Sequence, residues 1–220
     1  MSEQDLIDKT IEFVKETLSG AEGGHDWFHI ERVFNTAQQI ARGEKANGLV
    51  VALGALLHDI ADAKFHNGDE TIGPRIAREF LMAENVNTTV IEQVVDIIEH
   101  ISFKNSLSPE SKKARRSIEF HIVQDADRLD AIGAIGIARA FNYGGFKNRE
   151  LYNPEIAPEL NLSKEAYKKA KSPTINHFYE KLLLLKDQMN TKTARKIAAK
   201  RHRYMEKFLD QFYHEWQGKK

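Results

Sequence analysis

The stretch that decides the fold is Leu49–His66, LVVALGALLHDIADAKFH. Between Leu49 and Leu57 no side chain carries a charge or a hydrogen-bonding group, a pattern typical of a helix buried on every side. The apolar run ends in His58 and Asp59, an ionisable pair whose burial is costly unless a partner such as a divalent metal ion compensates it. Asp62 follows three residues later and, at helical spacing, lies on the same side as the pair. The rest of the chain is therefore expected to complete a site here.

The composition indicates a globular chain without a strong electrostatic field. The 220 residues are 41% hydrophobic, and 32 lysines and arginines balance 32 aspartates and glutamates. The absence of cysteine excludes disulfides, thiolate metal sites and cysteine nucleophiles. The amphipathic, acidic N-terminal sequence lacks a signal-peptide pattern, and the longest apolar run is shorter than a membrane span. We expect a cytoplasmic protein with no membrane partner.

Helical periodicity predicts an all-α fold, built as a single domain over residues 1–220. Besides the opening stretch, the predicted helices cover 2–18, 26–43, 72–82, 88–100, 116–141 and, as two helices, 174–216. The helix at 116–141 contains small residues such as Gly133, which let neighbouring helices approach closely and indicate a central position. Residues 102–113 are expected to form a loop. Residues 142–173 form the one long irregular stretch, and loops of that length are often lids or binding segments.

Three parts of the chain supply candidate metal ligands. His29 lies on an amphipathic helix, His58 and Asp59 end the apolar helix, and an aspartate is embedded in the other central helix. Two neutral imidazoles and two carboxylates form an ordinary coordination set for manganese, iron, cobalt, nickel, zinc or magnesium, and ligand softness alone does not choose among them. Taken alone, the His-Asp dipeptide could equally be a buried histidine bonded to its neighbour or to a backbone carbonyl.

These residues occur in three motifs, HIERV at 29–33, HDI at 58–60 and ADRL at 126–129. In this order and context the chain resembles the HD-domain metal-dependent phosphohydrolases. The resemblance covers roughly residues 20–145 at motif level, and the C-terminal part is more loosely similar to small stand-alone bacterial HD proteins. It implies a helical HD fold with a metal site between central helices, onto which residues 146–220 add a loop or lid and packing helices.

The resemblance further implies that His29, His58, Asp59 and Asp127 are the metal ligands. Asp125 is the alternative fourth ligand, and because side chains two residues apart on a helix point to nearly opposite sides, only one of the two aspartates can face the metal. The Ala-Asp-x-Leu register favours Asp127. Manganese is the expected ion, with magnesium, cobalt, nickel, iron and zinc as alternatives.

Asp62 is the predicted catalytic residue, because related hydrolases carry there an acidic side chain that assists the attacking water. A helix-terminal cap is the alternative role for Asp62. The predicted substrate-binding residues are Arg32, Lys64, His66, His100 and Arg128. Arg32, Lys64 and Arg128 are candidates for binding phosphate. Each of the two histidines could be a ligand of a second metal ion, a general acid or a hydrogen-bond donor to phosphate. His100 could instead lie favourably against a helix dipole.

These motifs lead to a functional hypothesis of a metal-dependent phosphohydrolase. It would cleave a phosphomonoester or pyrophosphate bond of a small, nucleotide-like substrate with metal-activated water. The alternative is a regulatory module that keeps the metal site and senses a nucleotide, or binds nucleic acid through the basic helix at 192–207. Nucleic acid is disfavoured because the charges of that helix are spread around it. A di-iron oxygen-using enzyme is a third hypothesis, and a homodimer is compatible with the sequence.

Overall fold

The protein is all-helical, as the periodicity predicts. A computed structural model describes residues 1–20, 26–61, 69, 71–101, 116–160 and 172–219, and within these ranges it contains nine α-helices, one 3₁₀ helix and no β-strand. The helices are α1 (Glu3–Thr17), α2 (Trp27–Ala41), α3 (Gly48–Leu57), α4 (Ile72–Ala83), α5 (Thr88–His100), α6 (Ile118–Asp130), α7 (Gly133–Phe146), α8 (Asn176–Glu180), the 3₁₀ helix Leu182–Gln188, and α9 (Lys192–Trp216).

The chain divides into two compact units, Met1–Asp127 and Arg128–Lys220. The division falls inside α6, after Asp127. The single domain stays a prediction. Among the described residues, no helix is both long enough and apolar enough to span a membrane. The loop predicted at 102–113 lies outside the described residues, as do residues 161–171 of the predicted lid.

Helix α3 is the centre of the first unit. All its residues from Val50 to Leu57 are buried, which confirms the prediction from the apolar run. The helix packs on α1, α2 and α5. Gly54 permits the closest of these approaches, because a Cβ placed there would lie 2.9 Å from Ile97 Cδ1 on α5 and 3.4 Å from Val123 Cγ2 on α6. Neighbouring helices therefore surround α3.

The N-terminal end of α2 and the C-terminal ends of α3 and α6 meet on one side of this unit. A short connection between Ala41 and Gly48 joins α2 to α3, so that the start of α2 returns to the end of α3. Glu119, near the start of α6, accepts a hydrogen bond from the backbone N–H of Asn47, which caps the start of α3, at 2.8 Å. Since Val123 also faces Gly54, α6 and α3 run in the same direction. The start of α2 and the ends of α3 and α6 therefore converge.

The prediction of one helix over 116–141 is wrong. The structure has two helices, α6 and α7, with a break at Ala131 and Ile132, where the backbone of Ile132 is extended (φ −129°, ψ 163°). Gly133 follows with φ +79°, a left-handed conformation that strongly favours glycine. The sequence predicts that the small residues of this segment are helix-packing positions, whereas Gly133 forms the turn between two helices. Helix α7 continues to Phe146, so the irregular stretch also begins later than residue 142.

Three arginines organise the second unit, of which Arg128 is buried and Arg139 and Arg201 are half-buried. Arg128 Nη1 donates to the Gln188 carbonyl at 2.5 Å, and Arg201 Nη1 donates to the Leu129 carbonyl. Arg139 Nη1 lies 2.5 Å from Asp130 Oδ2, in an ion pair whose carboxylate is almost wholly buried. These contacts fix α7, α9 and the 3₁₀ helix around the last turn of α6. Burial lowers the pKa of Arg201, and the charge of Asp130 opposes that effect.

Candidate metal centre

His58 is oriented by the helix that precedes it. It is the C-cap of α3, its side chain is 4% exposed, and Nδ1 lies 2.8 Å from the carbonyl of Ala55 one turn earlier. A carbonyl only accepts hydrogen bonds, so Nδ1 carries the proton and Nε2 of the neutral ring carries a lone pair. This is the arrangement in which a histidine binds a metal ion through Nε2 while its other nitrogen is held by a backbone carbonyl.

His29 presents a second imidazole to the same point. It lies in the first turn of α2, where the side chain of the N-cap residue Asp26 accepts a hydrogen bond from the His29 backbone N–H at 3.0 Å. The His29 side chain is 2% exposed, and its Nε2 lies 3.3 Å from Nε2 of His58. Two buried ring nitrogens therefore face each other at the meeting of α2 and α3.

Asp59 and Asp127 bring carboxylates to the two imidazoles. His29, His58 and Asp59 each offer one potential ligand atom, and these three atoms lie within 4.8 Å of one another. Asp127 Oδ1 lies 3.6 Å from His29 Nε2 and 3.9 Å from His58 Nε2. The structure thus brings together all four predicted ligand residues, although their role as ligands stays a prediction.

The distances that join the two imidazoles and the Asp127 carboxylate suit a shared cation. Donor atoms bound to one divalent ion at about 2.1 Å lie roughly 3.0–3.4 Å apart in octahedral or tetrahedral geometry. The imidazole nitrogens are separated by 3.3 Å, and the Asp127 oxygen lies slightly further from each of them. Nitrogen and oxygen donors of this kind fit the expected range of divalent metals. The alternative ligand, Asp125, is fully buried two residues earlier on α6.

The other predicted site residues lie in different places. Arg32 is half-buried on α2, one turn after His29. His100 ends α5 in the first unit, and Arg128 belongs to the second unit, where its guanidinium donates to a backbone carbonyl. Asp62, Lys64 and His66 lie outside the described residues. The roles of all six in catalysis or substrate binding stay predictions.

The sequence interpretation missed the partners of His100, which are Asp96 and Arg116. Asp96 precedes His100 by four residues, and a carboxylate at that spacing on a helix is a recognisable neighbour of an imidazole. Arg116 lies 20 positions after Asp96, and no local pattern connects the two residues. Only the spacing of Asp96 and His100 could have been recognised in the sequence.

Comparison with known proteins places the chain in a family. The HD domain model matches residues 27–132, which include all four candidate ligands. YpgQ of Bacillus subtilis is 38% identical over 213 residues, which cover 96% of this chain and 94% of YpgQ. A crystal structure of a Lactobacillus plantarum protein has a TM-score of 0.82 and 38% identity, with 99% of this chain and 100% of that chain covered.

Two further crystal structures are similar over nearly the whole chain. An HD-superfamily hydrolase from Bacillus thuringiensis has a TM-score of 0.78 and 42% identity, covering 98% of this chain and 99% of its own. YpgQ in complex with ADP has a TM-score of 0.76 and 34% identity in the structural alignment, covering 98% of this chain and 97% of its own. The motifs, the helical fold and these similarities agree: the chain belongs to the HD-domain family.

Proposed function

We propose that this protein is a metal-dependent phosphohydrolase that acts on a small nucleotide-like substrate. The observation that carries the proposal is the convergence of His29, His58, Asp59 and Asp127 at the meeting of three helix ends. The similar protein from Bacillus thuringiensis is an HD-superfamily hydrolase, and YpgQ was crystallised with ADP. ADP contains both a phosphoanhydride bond and a phosphate ester bond, so it represents both substrate classes that the sequence suggests.

Within this proposal, the four side chains hold one divalent ion, with manganese as the expected metal. A divalent ion bound there supplies positive charge that polarises a phosphoryl group and lowers the pKa of an attacking water. The chain itself contributes orientation. The Ala55 carbonyl fixes the ring of His58, and the Asp26 cap fixes the turn that carries His29.

The two carboxylates make a cation necessary for this reaction. Asp59 and Asp127 place negative charge beside the imidazoles, and an anionic phosphate would be repelled from that point without compensation. Arg32, one turn from His29, is proposed to hold phosphoryl oxygens. Asp62 and Lys64 are proposed to accept the proton of the attacking water and to neutralise phosphate, respectively. As the water oxygen bonds to phosphorus, the bond between phosphorus and the leaving oxygen breaks with its electron pair on that oxygen, and one proton of the water passes to Asp62.

The test is a pair of double variants. His58→Ala with Asp59→Ala should abolish both divalent metal content and hydrolysis of nucleoside mono-, di- and triphosphates, assayed with manganese, magnesium, cobalt and nickel. The matched control is His214→Ala with Asp210→Ala, an exposed histidine–aspartate pair on α9, which should retain both properties. Full metal content and full turnover in the first variant would refute the proposal.

A second candidate function is a nucleotide sensor that binds without turnover. The complex of YpgQ with ADP favours it, because a nucleotide-binding module would form the same kind of complex. Equilibrium dialysis of ADP in the presence of manganese separates the two functions. Binding that persists for hours with no release of phosphate or AMP would favour the sensor, and steady product formation would favour the phosphohydrolase.

A further inference from the structure

A cluster of three side chains surrounds the end of α5 in the first unit. His100 Nδ1 lies 3.0 Å from the backbone carbonyl of Asp96 and 3.2 Å from Oδ1 of the same residue. Arg116 Nη1 donates to that Oδ1 at 2.7 Å, and the guanidinium also packs over the ring of Phe120. The Asp96 carboxylate is therefore held between an arginine and an imidazole.

These contacts define the tautomer of His100. Both atoms that face Nδ1 are acceptors, so Nδ1 carries a proton that it donates to Asp96. The lone pair of the neutral ring is then at Nε2, which makes no hydrogen bond with any described residue of the chain. The side chain is 38% exposed, so solvent and ligands can reach it. A carboxylate fixed on Nδ1 also holds the ring in one orientation.

The position of His100 follows from the packing of α5. Ile97 packs against Gly54, one turn before His58 on α3. A Cβ placed on Gly73 would lie 3.7 Å from Ile98 Cγ2 and 3.5 Å from the Ala61 carbonyl, so the end of α5 and the segment that follows Asp59 contact the same residue. Helix α5 thus ends on the same side of the unit as the candidate metal ligands.

We propose that His100 is the proton donor to the leaving group and that Asp96, held by Arg116, is its positioning residue. This rests on the proposed phosphohydrolase function. The bond between phosphorus and the leaving oxygen breaks, its electron pair stays on that oxygen, and the Nε2 proton of the His100 imidazolium moves to it. The ring becomes neutral with Nδ1–H still donated to Asp96, and water returns a proton to the exposed Nε2.

The competing role for His100 is structural, because an imidazolium at a helix C-terminus is favoured by the helix dipole. The test therefore varies the leaving group. The wild-type protein and His100→Gln are compared on two analogues of the nucleotide that the wild type hydrolyses, which differ only in leaving-group basicity. For an anhydride, the β,γ-difluoromethylene and β,γ-methylene analogues of a nucleoside triphosphate serve, because the cleaved α–β bond keeps its bridging oxygen and the bisphosphonate leaving groups differ in basicity. Nitrophenyl and phenyl esters serve for a phosphate ester.

A proton donor matters most for the more basic leaving group. His100→Gln should lower kcat by about 100-fold or more on the basic analogue, within the range of general acid catalysis, and by less than about tenfold on the other. Imidazole added in solution should restore part of the activity of His100→Ala. Asp96→Ala should lower kcat with little change in KM. The matched control, His214→Gln with Asp210→Asn, should leave both rates unchanged.

Two readouts do not depend on activity. Nitrogen NMR of the free protein should show His100 protonated at Nδ1, and manganese affinity should be the same in His100→Gln and wild type. Equal losses on both analogues without imidazole rescue would overturn the proposal while leaving the phosphohydrolase function intact. A wild-type protein that hydrolyses no nucleotide would overturn both.

Discussion

Each unit of this protein gathers charged and polar side chains around one part of α6, and the two clusters differ in how their groups are spaced. In the second unit, Arg139 contacts the buried carboxylate of Asp130 at 2.5 Å, a direct charge-assisted hydrogen bond. In the first unit, the Asp127 carboxylate lies 3.6 and 3.9 Å from the imidazoles of His29 and His58, too far for a good hydrogen bond. The first spacing is that of a structural ion pair, and the second matches donors around a metal ion.

Carboxylates in this chain therefore occur in two kinds of cluster, one with an arginine and one with imidazoles. A carboxylate that is compensated by an arginine contributes to folding, whereas the carboxylates grouped with imidazoles would, under the proposed function, be compensated by a bound metal ion. Removing a residue from the first kind of cluster should affect stability, and removing one from the second kind should affect metal affinity.

The largest expected effect on stability comes from Arg139→Ala. This change leaves the Asp130 carboxylate buried without its arginine partner, and the free energy of unfolding should fall by about 3 kcal/mol. This value is at the lower end of the range for buried pairs because the Arg139 side chain is 27% exposed. Urea unfolding measures the loss. Arg75→Ala is the control, because it breaks an exposed pair with Glu79 and should cost no more than about 1 kcal/mol.

The corresponding change in the first unit should behave in the opposite way. Asp127→Asn should change the free energy of unfolding of the metal-free protein by less than about 1 kcal/mol, because this side chain is 36% exposed. A large loss of stability in the metal-free Asp127→Asn protein, equal to that of Arg139→Ala, would contradict the division into two kinds of cluster.

Two glycines provide a second contrast between the units. Gly133→Ala should cost about 1–2 kcal/mol, because the left-handed conformation at φ +79° is unfavourable for a residue with a Cβ. Gly54→Ala should cost less, because the nearest atom is Ile97 Cδ1 at the flexible end of a side chain and alanine favours the helix by about 1 kcal/mol. Thermal unfolding of both variants checks the order, and a more damaging Gly54→Ala would show that α3 packs more rigidly than proposed.

The sequence predicts the first cluster better than the second for a physical reason. His58 and Asp59 directly follow a fully apolar helix. Ionisable residues at that position can be recognised from the local sequence, because they need a partner that compensates their charge. The pairs of Asp130 with Arg139 and of Leu129 with Arg201 join helices whose contact depends on the tertiary fold. No local pattern marks an arginine that will reach a carbonyl 72 positions away.

The break between α6 and α7 was missed for a related reason. Gly133 lies in a run of small residues that is also typical of close helix packing. The turn between the two helices requires its positive φ, and the neighbouring residues do not indicate such a turn. In contrast, the Asp26 cap was predictable because capping involves residues only three positions apart. Contacts between residues close in this sequence can therefore be predicted from it, whereas contacts between distant residues cannot.

The stability of the second unit should also depend on pH. Burial, with Lys181 and Arg149 nearby, lowers the pKa of His177 to about 3 from an ordinary value of 6.5. Above pH 6.5 the ring is neutral in both states and contributes no pH dependence. Between pH 6.5 and 3 the unfolded chain takes up a proton that the folded chain does not, so stability falls on acidification.

His177→Gln should therefore flatten the acid sensitivity between pH 6.5 and 3, by about 2 kcal/mol at pH 5. Denaturant unfolding of wild type and variant at pH 7 and pH 5 measures the difference. His214→Gln, at an exposed position on α9, is the control and should follow the wild-type curve. If His177→Gln also followed that curve, the ring would not be buried in a neutral form.

The most direct test of the central claim is equilibrium manganese binding, followed by electron paramagnetic resonance. The wild-type protein should bind one ion per chain, and Asp127→Asn should lower the affinity by at least about 100-fold, beyond the 10–100-fold loss typical of residues that only support a ligand. Asp125→Asn should retain the wild-type affinity in its folded fraction. Equal affinities for wild type and Asp127→Asn would show that the meeting point of α2, α3 and α6 is not the metal site.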